Sequence, residues 1–240
     1  MKLFHRFLMF LAVLIAEGCA LESAEDKFLI FSYSFDFDEN THDWQPGFSE
    51  YPAGKSDSSL YQLQYAYTAL PSDPAGRKAI MLSGHNRSEE LFMYIRKKIT
   101  DLAPDTDYTV SFEVEMASET FPTNLDSNGP AAPENVFLKV GATSFQPKSV
   151  VVDDHYVLNL DKGFQSASGE DMTVIGTAAV TEGAVPYALV SRSNSSYYRP
   201  KSVRTNSNGE LWLIVGTDSS FEGITAVYYT NIAITFSKVD

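Results

Sequence analysis

One cysteine in 240 residues leaves no partner for a disulfide within the chain and no CxxC pair for metal or redox chemistry. Basic residues are also scarce, with 18 Lys plus Arg against 31 Asp plus Glu and a net charge of −13. That balance removes the basic footprint needed to neutralise nucleic-acid phosphates, and it disfavours electrostatic docking on anionic lipid. No apolar run reaches the roughly 18 residues of a membrane-spanning helix. Amphipathic helical periodicity over a dozen or so residues is likewise absent. What the chain has instead is aromatic content (16 Phe, 13 Tyr, 2 Trp) in a composition 44% hydrophobic and 20% charged, which is that of a folded domain.

The lone cysteine lies at an informative position. Lys2 and Arg6 precede an unbroken apolar run from residue 7 to residue 16, and Glu17-Gly18-Cys19-Ala20 follows. This is the layout of a bacterial export signal. Cys19 falls where a lipoprotein signal places its lipidated residue, although Ala16 stands where that pattern usually has Leu, and Glu17 is rare at the next position. Residues 1–18 are therefore expected to be a lipoprotein-type signal peptide, 19–27 a short tether and 28–240 a single folded domain. The alternative is a plain secretory signal cut near Ala20. Either route exports the chain, and removal of Lys2, Arg6 and Glu17 leaves it more acidic still.

Beyond the tether the patterning is of one kind. Phe31, Tyr33, Phe35 and Phe37 alternate with polar residues, as do Tyr108, Val110, Phe112, Val114 and Met116. Period-two alternation puts one face in a core and the other in water. Further strands are expected over 61–67, 79–83, 91–99, 135–140, 156–159, 173–176, 187–191, 211–215 and 228–236, separated by Pro, Asp, Asn and Gly turns. Leu91, Tyr94, Ile95 and Lys98 also fit helical spacing, but aromatic and β-branched content favours a strand. The expected fold is all-β: one sandwich, with a long Pro/Asn/Gly-rich loop over 117–134.

Residues 101–116, DLAPDTDYTVSFEVEM, resemble the L-x-Pro-x-Thr-x-Tyr-x-hydrophobic-x-Phe stretch of jelly-roll carbohydrate-binding modules and galactose-binding-like domains. Asp43-Trp44 with Gly47-Phe48, and the strand over 228–236, are similar to the opening and closing regions of such modules. The stretches at 44–52, 83–93, 136–147, 159–165 and 215–223 resemble a family of uncharacterised bacterial lipoproteins of about this length. The resemblance implies a lipid-anchored jelly-roll of galactose-binding-like type and carries over no catalytic residue.

Candidate sites follow from residue chemistry. Sugars stack their C–H faces on aromatic rings while polar side chains address the hydroxyls. Trp44, Tyr61 and Tyr65 are the aromatic nominees, with Tyr67, Tyr197 and Tyr198 behind them; Trp212 is expected in the core beside Leu211 and Leu213. The dense polar stretch at 83–90 nominates His85, Asn86, Arg87 and Glu89. Two oxygen-rich stretches offer candidate structural calcium ligands: Asp36, Asp38, Asn40 and Asp43, or Asp218 and Glu222. Asp153-Asp154-His155 invites a catalytic reading, but sequence neighbours on a turn seldom face each other across a bound sugar. No nucleophile elbow or recognisable triad occurs.

The function expected from these features is non-catalytic recognition at the bacterial envelope, with glycan as the leading ligand class. The membrane is reached only through the lipid on Cys19, at an outer membrane facing periplasm or exterior; a secreted form is the alternative. Two other classes remain: a structural or adhesion lipoprotein binding an envelope protein, and an envelope glycoside hydrolase or lyase. Replacing Cys19 with Ser should move the protein from the membrane fraction to the soluble fraction on cell fractionation; unchanged retention contradicts the lipid anchor.

Overall fold

A computed structural model describes residues 30–71, 73–118, 135–180, 187–195, 201–220 and 222–239. Cys19, the tether, most of the 117–134 loop, Tyr197 and Tyr198 lie outside the described residues. Within them no helix is long and apolar enough to cross a membrane.

The strands in chain order are β1 (Ile30–Asp36), β2 (Gln45–Ser49), β3 (Tyr51–Pro52), β4 (Gln64–Ala69), β5 (Lys78–Asn86), β6 (Phe92–Ile99), β7 (Asp107–Ser118), β8 (Val136–Thr143), β9 (Ser149–Val152), β10 (His155–Leu158), β11 (Met172–Thr177), β12 (Leu189–Ser193), β13 (Ser202–Arg204), β14 (Leu211–Ser219) and β15 (Gly223–Lys238). A single helical turn, α1 (Lys55–Ser59), lies between β3 and β4.

Two antiparallel sheets face each other. One has the order β12-β7-β15-β5-β4, with β1 also on β15 and β13 also on β7; the other runs β11-β8-β14-β6-β2. The chain passes back and forth between them (β5 to β6, β6 to β7, β7 to β8, β14 to β15), which is the jelly-roll pattern. Alternation explains the layers. Tyr108, Val110, Phe112, Val114 and Met116 from β7 meet Leu91, Met93, Ile95, Leu138, Leu213 and Val215 in one continuous core. Burying each such side chain contributes about 1.5–3 kcal/mol.

The longest strand, β15, has β7 along one side, while β5 and β1 share the other side end to end. The register shifts between Tyr229 and Asn231, where β5 gives way to β1. A bulge there inverts the alternation, so that Tyr229 and Ile232 both reach the core.

Several expected strands extend further than the periodicity suggested. β5 runs through Asn86 and β14 through Ser219, so polar residues expected in loops are strand residues. The Asp153-Asp154 turn between β9 and β10 has positive φ at both residues (47° and 59°), as a two-residue hairpin of the primed type requires. Trp212 also differs from expectation. Register puts it on the opposite face of β14 from Leu211 and Leu213, half-buried under the Arg96 guanidinium, whose carbon is 5.9 Å from the ring centroid.

The outer face of the second sheet is roofed rather than solvated. A small sheet, β3-β10-β9, lies over it, and Phe92, Tyr94 and Ile214 form a second core with Leu158 and Met172. Gly47 and Gly216 flank Tyr94 in register and make room for its ring. A Cβ on Gly47 would fall 2.2 Å from the Tyr94 ring. Since Tyr94 is 1% exposed, it has nowhere to move. Gly47→Ala is expected to cost about 1–3 kcal/mol through overpacking, measured by urea denaturation; an unchanged midpoint contradicts this packing.

Candidate functional site

The roof continues from β10 into a loop over 159–171 that is built around Asp161. Its carboxylate accepts the Gly163 N–H (2.9 Å) and the Glu170 N–H (2.8 Å), and these bonds hold its pKa below the usual carboxylate range. Asp171 returns the arrangement by accepting the Asp161 N–H at 2.8 Å. Gly163 and Gly169 meet at the waist of the loop, where a Cβ on Gly169 would fall 2.2 Å from the Gly163 nitrogen.

The loop is tied to the sheet by a buried ionic group. Lys139 of β8 and Asp218 of β14 point outward from the sheet, yet their side chains are 0% and 1% exposed. Lys139 Nζ donates to Asp218 Oδ2 (2.8 Å) and to the carbonyls of Lys162 (2.9 Å) and Ala167 (3.1 Å). Lys162 Nζ donates to the same Oδ2 at 2.9 Å and lies 5.4 Å from the Phe92 ring centroid. The Gln165 N–H adds a third donor to that oxygen at 3.1 Å, whereas Oδ1 is buried without a partner. Burial pushes the Lys139 pKa down, with the Asp218 charge opposing. Removing one partner from such a group typically costs about 3–5 kcal/mol.

This loop also walls a cleft. Strand β11 begins at Met172, opposite Gly141, so Ala142 and Thr143 of β8 have no strand neighbour on that side. The sandwich opens there, between β8 and β13, into a cavity of about 190 Å³. Val110, Phe112, Val140 and Val203 form its apolar floor; Thr173, Ser202, Glu170, Asp171, Lys201 and Arg204 provide polar and charged groups. Phe145 stands at the rim, 44% exposed, on a turn closed by the Thr143 hydroxyl donating to the Phe145 carbonyl (2.6 Å). Lys201 donates to the Gly169 and Glu170 carbonyls, and Arg204 pairs with Asp107 at 2.8 Å. Asn194 lies behind them, 4% exposed, tying its turn to the Phe112 N–H and the Val110 carbonyl.

The residues nominated from sequence are scattered. Trp44 is 2% exposed and packs edge-on against Phe35 and Phe37, so it offers no ring face to a ligand. Tyr61 is 3% exposed against Tyr51 and is likewise a core residue. Tyr65 is exposed on the edge strand β4, and Tyr67 of the same strand is half-buried. Asn86 is structural: its amide donates to the Ser219 carbonyl (2.7 Å), and its Oδ1 accepts the Ser88 and Leu91 N–H groups. His85 is half-buried on β5, while Arg87 and Glu89 are exposed in the β5–β6 turn.

The calcium nominees do not converge. Among the described residues no group of three or more His, Cys, Asp or Glu side chains is placed to hold a metal ion. Asp36 Oδ1 accepts the Asp38 N–H, Asp38 Oδ1 the Lys78 N–H, and Asn40 Oδ1 the His42 N–H. Asp43 is exposed, and so is Glu222. Asp218 is committed to two ammonium groups, which would repel a cation.

Two further clefts are polar. At the β15 bulge, Asp36, Asp38, Arg77, Lys78 and Glu115 surround about 220 Å³. Beside the roof loop, Glu50, Glu90, Lys162 and Phe164 line about 250 Å³. Glu50 turns the chain from β2 into β3 with φ of 63°, and its carboxylate accepts the Leu158 N–H at 3.2 Å.

No protein-family model matches the chain, and no curated protein matches it. Similar solved structures include a xylan-binding domain from Paenibacillus barcinonensis, at 13% identity and TM-score 0.37, over 87% of this chain and 95% of that one. A carbohydrate-binding module in complex with β-1,4-galactotriose gives 11%, 0.34, 80% and 87%. An adhesin domain of Lys-gingipain from Porphyromonas gingivalis gives 9%, 0.37, 88% and 99%. Likeness of this degree assigns neither family nor ligand.

Burial raises the Glu50 pKa above its ordinary 4.5, against the lowering effect of the Leu158 N–H and Lys162. A raised carboxyl pKa contributes stability that is complete below the unfolded value and is lost as pH rises through the folded value. Glu50→Gln keeps the acceptor for Leu158 but cannot ionise. The variant should therefore gain stability relative to the wild type as pH rises above the ordinary carboxyl value of 4.5, read from thermal melts; a pH-independent difference contradicts the assignment.

Proposed function

We propose that the protein is a non-catalytic glycan-recognition domain, exported and held at the bacterial envelope by a lipid on Cys19. The observation that carries the reading is the cleft at the open edge of the sandwich. It joins a surface-presented aromatic ring, Phe145, to an apolar floor and a dense set of hydroxyl, carboxylate and cationic groups within one small cavity. A sugar has the matching chemistry: apolar C–H faces for the ring and floor, hydroxyls for the rim.

The non-catalytic part of the reading rests on the same cleft. Its two carboxylates, Glu170 and Asp171, are chain neighbours, and Asp171 is already engaged by the Asp161 N–H. Glycoside hydrolysis needs two carboxyl groups facing each other across the substrate.

A glycan array probed with the soluble domain tests the proposal. At least one polymeric glycan should bind, and Phe145→Ala should weaken that binding by about tenfold or more, equivalent to about 1.4 kcal/mol. Failure to bind any glycan would contradict the reading and favour a protein partner. Binding that is indifferent to Phe145→Ala would place the ligand elsewhere.

A further inference from the structure

We propose that Lys139 and Asp218 are the two halves of a self-forming amide cross-link between β8 and β14. The pair has the placement such a reaction needs. Each side chain comes from a neighbouring strand of the same sheet, each is 1% exposed or less, and Nζ lies 2.8 Å from Oδ2. Proximity of this kind converts a slow bimolecular condensation into an intramolecular one.

The chemistry balances without a co-reactant. Lys139, as the free amine, attacks Asp218 Cγ; a new N–C bond replaces the bond from Cγ to Oδ2. Oδ2 departs as water, carrying the two protons that the original ammonium gives up. An ammonium plus a carboxylate holds the same atoms and the same total charge as an amide plus water.

Three features of the site favour this outcome. Lys162 Nζ, 2.9 Å from the departing oxygen, is placed to protonate it and to take a proton back from Lys139. Burial pushes the Lys139 pKa down, which raises the share of reactive amine. Asp218 Oδ1 is buried without a hydrogen-bond partner, a costly state for half of a carboxylate and a milder one for a neutral amide carbonyl. Lys162 is the helper rather than the nucleophile because it sits on the loop, whereas Lys139 is fixed on a strand with its amine fully dry. The link would close a loop between residues 79 apart in sequence and lock the two central strands beneath the roof.

Mass spectrometry of the purified chain, denatured in guanidinium, tests the proposal. The expected mass is one water below that of the same chain with Lys139 and Asp218 unlinked, and a tryptic digest should contain the Lys139 and Asp218 peptides joined, with no cleavage after Lys139. Asp218→Ala and Lys139→Met should each restore the full mass. Lys162→Met, which leaves both reacting groups in place, should give a mixture in which unlinked chain persists. The unlinked mass in the wild-type chain, equal to that expected from the two variants after allowing for their substitutions, or a water lost from any other pair of residues, would overturn the proposal.

Discussion

Asp218 is held between two lysines at a place where neither solvent nor a second carboxylate can share the load. Its Oδ2 takes donors from β8, from the loop over 159–171 and from that loop's own backbone, so a single oxygen ties together three parts of the chain. The group is expensive to bury, and ion pairs of this kind add less to net stability than to the choice of one arrangement over others. Here the arrangement chosen is the roof. With Lys139 satisfied by two loop carbonyls as well as Asp218, the loop has one seating on the sheet, and the apolar contacts of Leu158 and Met172 with Phe92, Tyr94 and Ile214 follow from it.

The functional reading depends on the same seating. Glu170 and Asp171, which wall the open-edge cleft, belong to the end of the loop that Asp161 organises and the lysines pin. The cleft exists because β11 starts only where that loop ends, at Met172, leaving the end of β8 without a strand neighbour on that side. A rigid wall beside an exposed aromatic suits recognition of a ligand that must be matched in shape without being transformed.

Much of the architecture was legible in the sequence. Strict alternation in β1 and β7 marked both the strands and their buried faces, and the rejection of a helix over 89–98 follows from the aromatic and β-branched content of β6. The short strands β2, β3, β9 and β13 carry too few residues for periodicity to register. The sites were less legible because exposure is a tertiary property. Trp44, beside turn residues, and Tyr61, sharing strand parity with Tyr65, read as surface aromatics, yet both are core residues. Residues 217–219 read as loop because they are polar; they are strand because Lys139 and Lys162 neutralise Asp218 from partners 79 and 56 residues away. Two signals were present and unused: a lysine in the middle of the apolar strand at 136–140, which demands a buried partner, and an aromatic at 145 inside a polar turn, which has no core to enter.

Hydrogen exchange of the backbone amides tests most directly whether the ionic group seats the roof. In Asp218→Ala, amides over 159–171 should exchange about tenfold faster or more than in the wild type, while β7 and β15 keep their protection. Unchanged protection over 159–171, or an equal loss of protection in β7 and β15, would contradict the account.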